Sequence, residues 1–342
     1  MVPPHLLAAA AASGILIGTA LLSAALIVLL KPLLVRYALA RPNARSSHRV
    51  PTPQGGGIAV VGACLGVAGI VLWALGLPMG GFLAVAAASI GLAVAGAVDD
   101  IRPLPAGPRL LLQVIAVAAV VVTAQLRVLP EAFPLVLEQA LLIVGGVWFV
   151  NLVNFMDGLD WITVAEMVPI AAFVAAVGLA GPDPGAAPLA ALTLCGALLG
   201  FAPFNRPVAK LFLGDVGSLP IGLLVGWMLL ELAGTGALAA ALLLPLYHLM
   251  DATITLLKRL ARGERVWEAH RGHFYQQATT HGFTPLAVSA HVFGLNLALA
   301  GLAAVTLRWP SWPIQAVCLA SGVALVGLLL SHFARPRLKW PA

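Results

Sequence analysis

Charge is what this sequence has least of. Asp, Glu, Lys and Arg together make up 9% of its 342 residues, against roughly a quarter in soluble domains. No polar stretch is long enough for a separate soluble domain, so residues 1–342 read as one unit. Cysteine is equally scarce. Cys64, Cys195 and Cys318 lie far apart inside apolar runs, with neither a pairing pattern nor a metal-binding spacing, which excludes a disulfide framework and a thiolate metal site. The first apolar run lacks a basic leader and a small-residue cleavage site before Lys31, so it reads as a retained helix and not a removed signal. There is no internal repeat.

What is present is hydrophobic: 61% of residues, with a mean hydropathy of +1.01. Apolar stretches that could cross a bilayer run over about 6–30, 56–77, 81–98, 110–126, 135–150, 163–181, 186–204, 218–234, 237–257, 288–307 and 313–333. Several are short, so ten to eleven transmembrane helices are expected, in an all-α polytopic bundle. Of the 19 Lys and Arg, 17 fall in the linkers 31–55, 99–109, 205–217 and 258–287 and in the tail 334–342. Arg127 and Arg308 fall in linkers of the opposite parity. Basic loops face the cytoplasm, which sets the N-terminus outside and the C-terminus inside, and puts 151–162 on the cytoplasmic face as well. A net charge of +6 is thus accounted for by topology, and nucleic acid is not expected as a partner.

The polar residues collect in those cytoplasmic loops. The segment NLVNFMDGLD (151–160) sets Asn151, Asn154 and Asp157 three residues apart, on roughly one face if the preceding helix continues, with Asp160 just beyond. Asp99 and Asp100 are adjacent carboxylates at the end of an apolar run, a repulsive pair that invites a cation or a proton, and Arg102 and Arg109 follow. The loop FNRPVAKLFLGDVGS (204–218) offers Lys210, and Asp215 between Gly214 and Gly217 as a metal ligand. The first loop, RPNARSSHRVPTPQGGG (41–57), is basic and ends in three glycines whose N–H groups, at a helix start, suit an anion. The fifth holds AHRGHFYQQ (269–277), where His270, Arg271 and His273 form a small cationic element. Carboxylates, amides and cations on one face of a hydrophobic bundle suit Mg²⁺ shared with a diphosphate. Phosphoryl transfer then follows, because it depends mainly on positioning and charge neutralisation.

In order, RSSH (45–48) with PTP and GGG, Asp99-Asp100, 151–160, 204–218 and AHRGH (269–273) resemble the polyprenyl-phosphate N-acetylhexosamine-1-phosphate transferases, of the glycosyltransferase family 4 type, over residues 41–277. Within that superfamily the AHRGH element is similar to the surface-polysaccharide branch, whereas phospho-MurNAc-pentapeptide translocases carry consecutive histidines there. The resemblance implies a multi-pass enzyme of the bacterial inner membrane, commonly dimeric, with a cytoplasmic active site. It would move a sugar 1-phosphate from a UDP-N-acetylhexosamine to undecaprenyl or another polyprenyl phosphate, releasing UMP and starting an O-antigen-like polysaccharide. Mg²⁺ is the implied cofactor, with Mn²⁺ as a substitute. Carried over by position, Asp215, Asn154 and Asp157 would hold the metal, and Asp99, Asp100, Asp157 and Asp160 would be catalytic. Arg45, His48, Arg109, Asn151, Lys210, His270, Arg271 and His273 would bind substrate. One departure stands out: the position after Asp160, usually Gly in the family, is Trp161 here.

A secondary transporter is the alternative from another class. Its polar groups would lie near the bilayer midplane, and Glu138, Glu166 and Glu231 do fall within the apolar runs, where lining an internal cavity would favour transport.

Overall fold

A computed structural model describes residues 4–40, 51–181, 185–265 and 270–336. Arg45 and His48 lie outside the described residues. The described residues form thirteen helices and two two-residue strands in the order α1 (Pro4–Tyr37), β1 (Leu39–Ala40), β2 (Thr52–Pro53), α2 (Gly57–Ala74), α3 (Gly80–Ile101), α4 (Ala106–Ala124) and α5 (Leu135–Met156). Then follow α6 (Ile162–Leu179), α7 (Ala186–Phe201), α8 (Asp215–Gly234), α9 (Leu238–Leu243), α10 (Leu246–Ala261), α11 (Phe274–Thr280), α12 (Pro285–Arg308) and α13 (Trp312–Phe333). Apolar runs become helices because, away from water, only the helix satisfies every backbone N–H and C=O within one segment. The all-α polytopic expectation holds.

Nine helices among the described residues are long and apolar enough to cross a membrane. The other two expected spans take a different form. The run at 186–204 yields α7, of 16 residues. The run at 237–257 is broken into α9 and α10, with Leu244 and Pro245 between them, because proline has no N–H to continue the ladder and its ring crowds the preceding turn.

The bundle is organised around α8, whose residues are mostly buried, while α1 and α13 are mostly exposed. Helices α2, α3, α5 and α9 surround α8, and α7 is clamped between α1, α2 and α6. Large apolar side chains such as Leu29, Trp73, Val136 and Leu328 point outward, as expected where the surrounding solvent is lipid.

At one end of α8 the backbones come unusually close. A Cβ on Gly57 would sit 2.1 Å from the Cα of Gly217, so the starts of α2 and α8 touch at a point only glycines allow. The amides of Gly56 and Gly57 donate to the carbonyls of Phe212 and Leu213 (2.9 Å each). The expectation that these glycines offer free N–H groups to an anion is therefore corrected: two of the amides are spent tying the first loop to the segment before α8. Gln54 completes the tie, its side chain donating to the Asp100 carbonyl at 2.8 Å.

Candidate active site

The end of α3, the start of α8 and the α5–α6 junction meet where those glycines let the backbones close. Asp100 receives the amides of Asp215 (3.0 Å) and Val216 (3.1 Å), one on each carboxylate oxygen. Its charge thus sits on the first N–H groups of α8, which are the ones without helical partners. Gly214, at φ +77°, makes the turn that presents them, and a Cβ there would come within 2.6 Å of the Asp100 carboxylate. Asp100 acts as the anchor that sets where Asp215 stands.

Asp215 is met from two sides. The Asn154 amide donates to it at 2.7 Å and to the Ser218 hydroxyl at 2.9 Å, and the Asp99 carboxyl lies in hydrogen-bonding contact with it. Asp99 in turn accepts from the Leu104 amide and pairs with Arg109 at 2.8 Å. Asp157, just past the end of α5, accepts from the Thr163 hydroxyl. Burial pushes its carboxyl up to about 8, the nearby charges of Asp215 and Asp100 act in the same direction, and Thr163 opposes them. Four carboxylates therefore share one small region, and two of them touch.

The remaining expected residues divide. Asp160 accepts from the Ala209 amide at 3.0 Å, and its carbonyl accepts from Ser289 at 2.8 Å, so it links the α5–α6 turn to the loop before α8 and to α12. Trp161 follows with φ +64°, a left-handed conformation in which glycine carries no penalty. Its own amide donates to Asn205 (2.8 Å) and its indole N–H to the Ala202 carbonyl (2.6 Å). The departure from the family pattern thus keeps the turn and adds a staple. Asn151 points elsewhere, its amide donating to Gln113 on α4 (2.6 Å) and to the Val147 carbonyl (2.8 Å). Lys210 is exposed beside this loop.

The fifth loop is brought in by a residue that sequence reasoning passed over. Asp251 on α10 is completely buried and accepts from the amides of Phe274 (3.0 Å) and Tyr275 (3.2 Å). The His273 ring nitrogen lies 3.2 Å from it. His273 is stacked between His270 (4.8 Å) and Tyr275 (5.7 Å). The Tyr275 hydroxyl donates to the Phe155 carbonyl at 3.0 Å, which places this loop beside the end of α5. The His270 Nδ1 accepts from the Gly272 amide, and burial together with the charges of His273 and Arg259 lowers its pKa to about 4. At neutral pH it is an uncharged ring. Arg271 is exposed next to it. An acidic residue inside the apolar run 237–257 was the available signal for Asp251, whereas nothing in the pattern marks Thr163, Ser218, Gln113 or Asn205 as partners.

Residues 82–233 match the family described as Glycosyl transferase family 4. The chain is 30% identical over 321 residues to a phospho-N-acetylmuramoyl-pentapeptide-transferase of Synechococcus sp., covering 86% of this chain and 90% of that one. The chain belongs to the polyprenyl-phosphate N-acetylhexosamine-1-phosphate transferase superfamily. It is also 35% identical over 220 residues to the decaprenyl-phosphate N-acetylglucosaminephosphotransferase of Mycolicibacterium smegmatis, covering 57% of this chain, and 35% identical over 213 residues to that of Mycobacterium tuberculosis. The chain spans about half the length of these two mycobacterial relatives, 53% and 52%.

Among the described residues no three His, Cys, Asp or Glu side chains form a metal-holding group. Within this superfamily member the site offers instead two touching carboxylates, Asp99 and Asp215, and the amide of Asn154. That donor set suits Mg²⁺, which is commonly held by one or two carboxylates and completed by phosphate oxygens and water. It does not suit a zinc cage, which needs four protein ligands.

Proposed function

We propose that this protein transfers an N-acetylhexosamine 1-phosphate, or a deoxy relative, from a UDP-sugar to undecaprenyl or another polyprenyl phosphate. An oxygen of the lipid phosphate attacks the sugar-linked phosphorus, the bond to the UMP phosphate breaks, and UMP leaves. The lipid-diphosphate sugar that results begins a surface polysaccharide. The observation that carries this reading is the contact between Asp99 and Asp215, with Arg109 on one side and Asn154 on the other, in a chain of this superfamily.

Mg²⁺ held at Asp215 and Asn154, with Asp99 and Asp157 beside it, would neutralise the diphosphate. Arg109 binds the incoming lipid phosphate, and its pairing with Asp99 keeps the guanidinium turned into the site. A phosphate monoester has a second pKa near 6, so most of the lipid phosphate arrives as the dianion. Asp99 takes the residual proton from the rest. Asp100 holds Asp215 in place, and the neutral His270 with Arg271 and His273 receives the sugar and its phosphate. The site faces the cytoplasm of the bacterial inner membrane, by the charge of its loops, and the protein works as a homodimer.

The donor is a compact UDP-N-acetylhexosamine and not UDP-MurNAc-pentapeptide. The relatives include both classes of enzyme, and it is the fifth-loop sequence that supports this choice. Purified protein should release UMP from UDP-GlcNAc or a related sugar only when Mg²⁺ and polyprenyl phosphate are both present. Turnover of UDP-MurNAc-pentapeptide with none on a panel of UDP-N-acetylhexosamines would refute the donor assignment.

Among the described residues nothing favours the transporter reading. Glu138 accepts from the Val128 and Leu129 amides and pairs with Arg127. Glu166 is enclosed with His248 and Asn296, and Glu231 accepts from Trp227. An apolar cavity of about 300 Å³ between α4, α5, α8 and α9 has none of them in its wall.

A further inference from the structure

Glu166, on α6, is completely buried, and so, to within 1%, are His248 on α10 and Asn296 on α12. The Asn296 amide donates to one Glu166 oxygen and to the Ala165 carbonyl (3.1 Å). The His248 Nδ1 lies 3.1 Å from that same oxygen, though not aligned for a hydrogen bond. The other Glu166 oxygen faces the His248 backbone amide at 3.4 Å. Among the described residues, His248 Nε2 and Asn296 Oδ1 have no partner. An ionisable cluster inside a membrane bundle is costly, and a well-packed apolar trio often does as well for stability alone. The cluster therefore calls for a geometric reason.

The reason lies in where His248 stands. It is the third residue of α10, just past Pro245, where the chain breaks and the first amides have no helical partner. A carboxylate placed there fixes the start of α10 in both depth and rotation. One turn further along the same helix is Asp251, which holds the Phe274 and Tyr275 amides and the His273 ring. Tyr247 couples the two levels, its hydroxyl donating to Asp251 at 3.3 Å.

We infer that Glu166, clasped by Asn296 and His248, is a positioning residue for the 270–275 substrate loop, acting through α10 and Asp251. The inference rests on the proposed transfer reaction for its functional consequence, but its structural half stands apart from activity. A small displacement of a substrate-binding group costs heavily, roughly 100-fold for about 1 Å.

The test compares hydrogen–deuterium exchange in wild type, Glu166→Gln and Glu166→Ala, each purified as the full chain in detergent. In Glu166→Ala, the amides at Phe274 and Tyr275 are expected to exchange about 10-fold faster, with α2 and α8 unchanged. Glu166→Gln offers one acceptor oxygen in place of two, so it keeps the Asn296 contact and loses that to the His248 amide, and its exchange should fall between those of wild type and Glu166→Ala. In the UMP-release assay, Glu166→Ala should raise KM for the UDP-sugar by roughly 10-fold and leave KM for polyprenyl phosphate unchanged, with Glu166→Gln in between. Unchanged exchange at Phe274 and Tyr275 in Glu166→Ala, or faster exchange spread evenly over the bundle, overturns the inference. If Glu166→Ala is not monodisperse, Asn296→Ala is judged by the same two readouts and the same criteria. A wild type without transferase activity would sink the proposed reaction, and the exchange data would still decide the positioning.

Discussion

Asp100 and Asp215 are carboxylates on opposite sides of one helix start, and their removal should move stability in opposite directions. Asp100→Ala takes away two charge-assisted hydrogen bonds to the first amides of α8. At the lower end of the usual range, two such bonds are worth roughly 3 kcal/mol, and the favourable helix terminus adds about 0.5 kcal/mol. Repulsion from Asp99 and residual solvent contact offset part of this, leaving about 2 kcal/mol, or a fall in Tm of roughly 4 °C. Asp215→Asn does the reverse. It keeps an oxygen that can accept from Asn154 and removes one of two touching carboxylates. For two unit charges at a generic separation of about 4 Å, repulsion is roughly 4 kcal/mol at an effective dielectric near 20, and a proton shared between Asp99 and Asp215 relieves some of that. The metal-free Asp215→Asn protein should therefore melt a few degrees above wild type while its UMP release is lost. The assay is thermal unfolding in detergent with EDTA, alongside initial rates. A metal-free Asp215→Asn that melts below wild type, or an Asp100→Ala that melts level with it, would refute this division between anchor and reactive carboxylate.

Mg²⁺ should raise the Tm of wild type by an amount that grows with its concentration and reverses on chelation, and the shift should vanish in Asp215→Asn; an equal shift in that variant would remove Asp215 from the metal site. Trp161→Phe keeps the ring and loses the indole bond to Ala202, so it should cost about 1 kcal/mol without changing the sugar selected. Its melting curve and a donor panel check both halves. His270 has a folded pKa near 4 against an ordinary 6.5, so the unfolded chain binds the extra proton between those values and stability should fall as pH drops through that window. His270→Gln should flatten that part of the stability profile, and an unchanged slope would show that His270 is not the group responsible.

The sequence by itself determined the class of the molecule, because a long apolar run has few ways to satisfy its backbone in lipid and the helix is one of them. The positions of the polar segments at the ends of those runs were legible for the same reason, and so was the family, from the order of five motifs. Which side chains meet was not. Asp99 and Asp100 are neighbours in the chain, yet one contacts Asp215 and Arg109 while the other caps α8, since successive helical positions point about 100° apart. Asn151 and Asn154 share the periodicity expected of one face, but the packing of α4 and α8 on either side of α5 draws them to different partners. The burial of Asp251 was decided by tertiary structure alone: an acidic residue in an apolar run reads only as a cost until the backbone amides that need it, 23 and 24 residues further along, are folded against it.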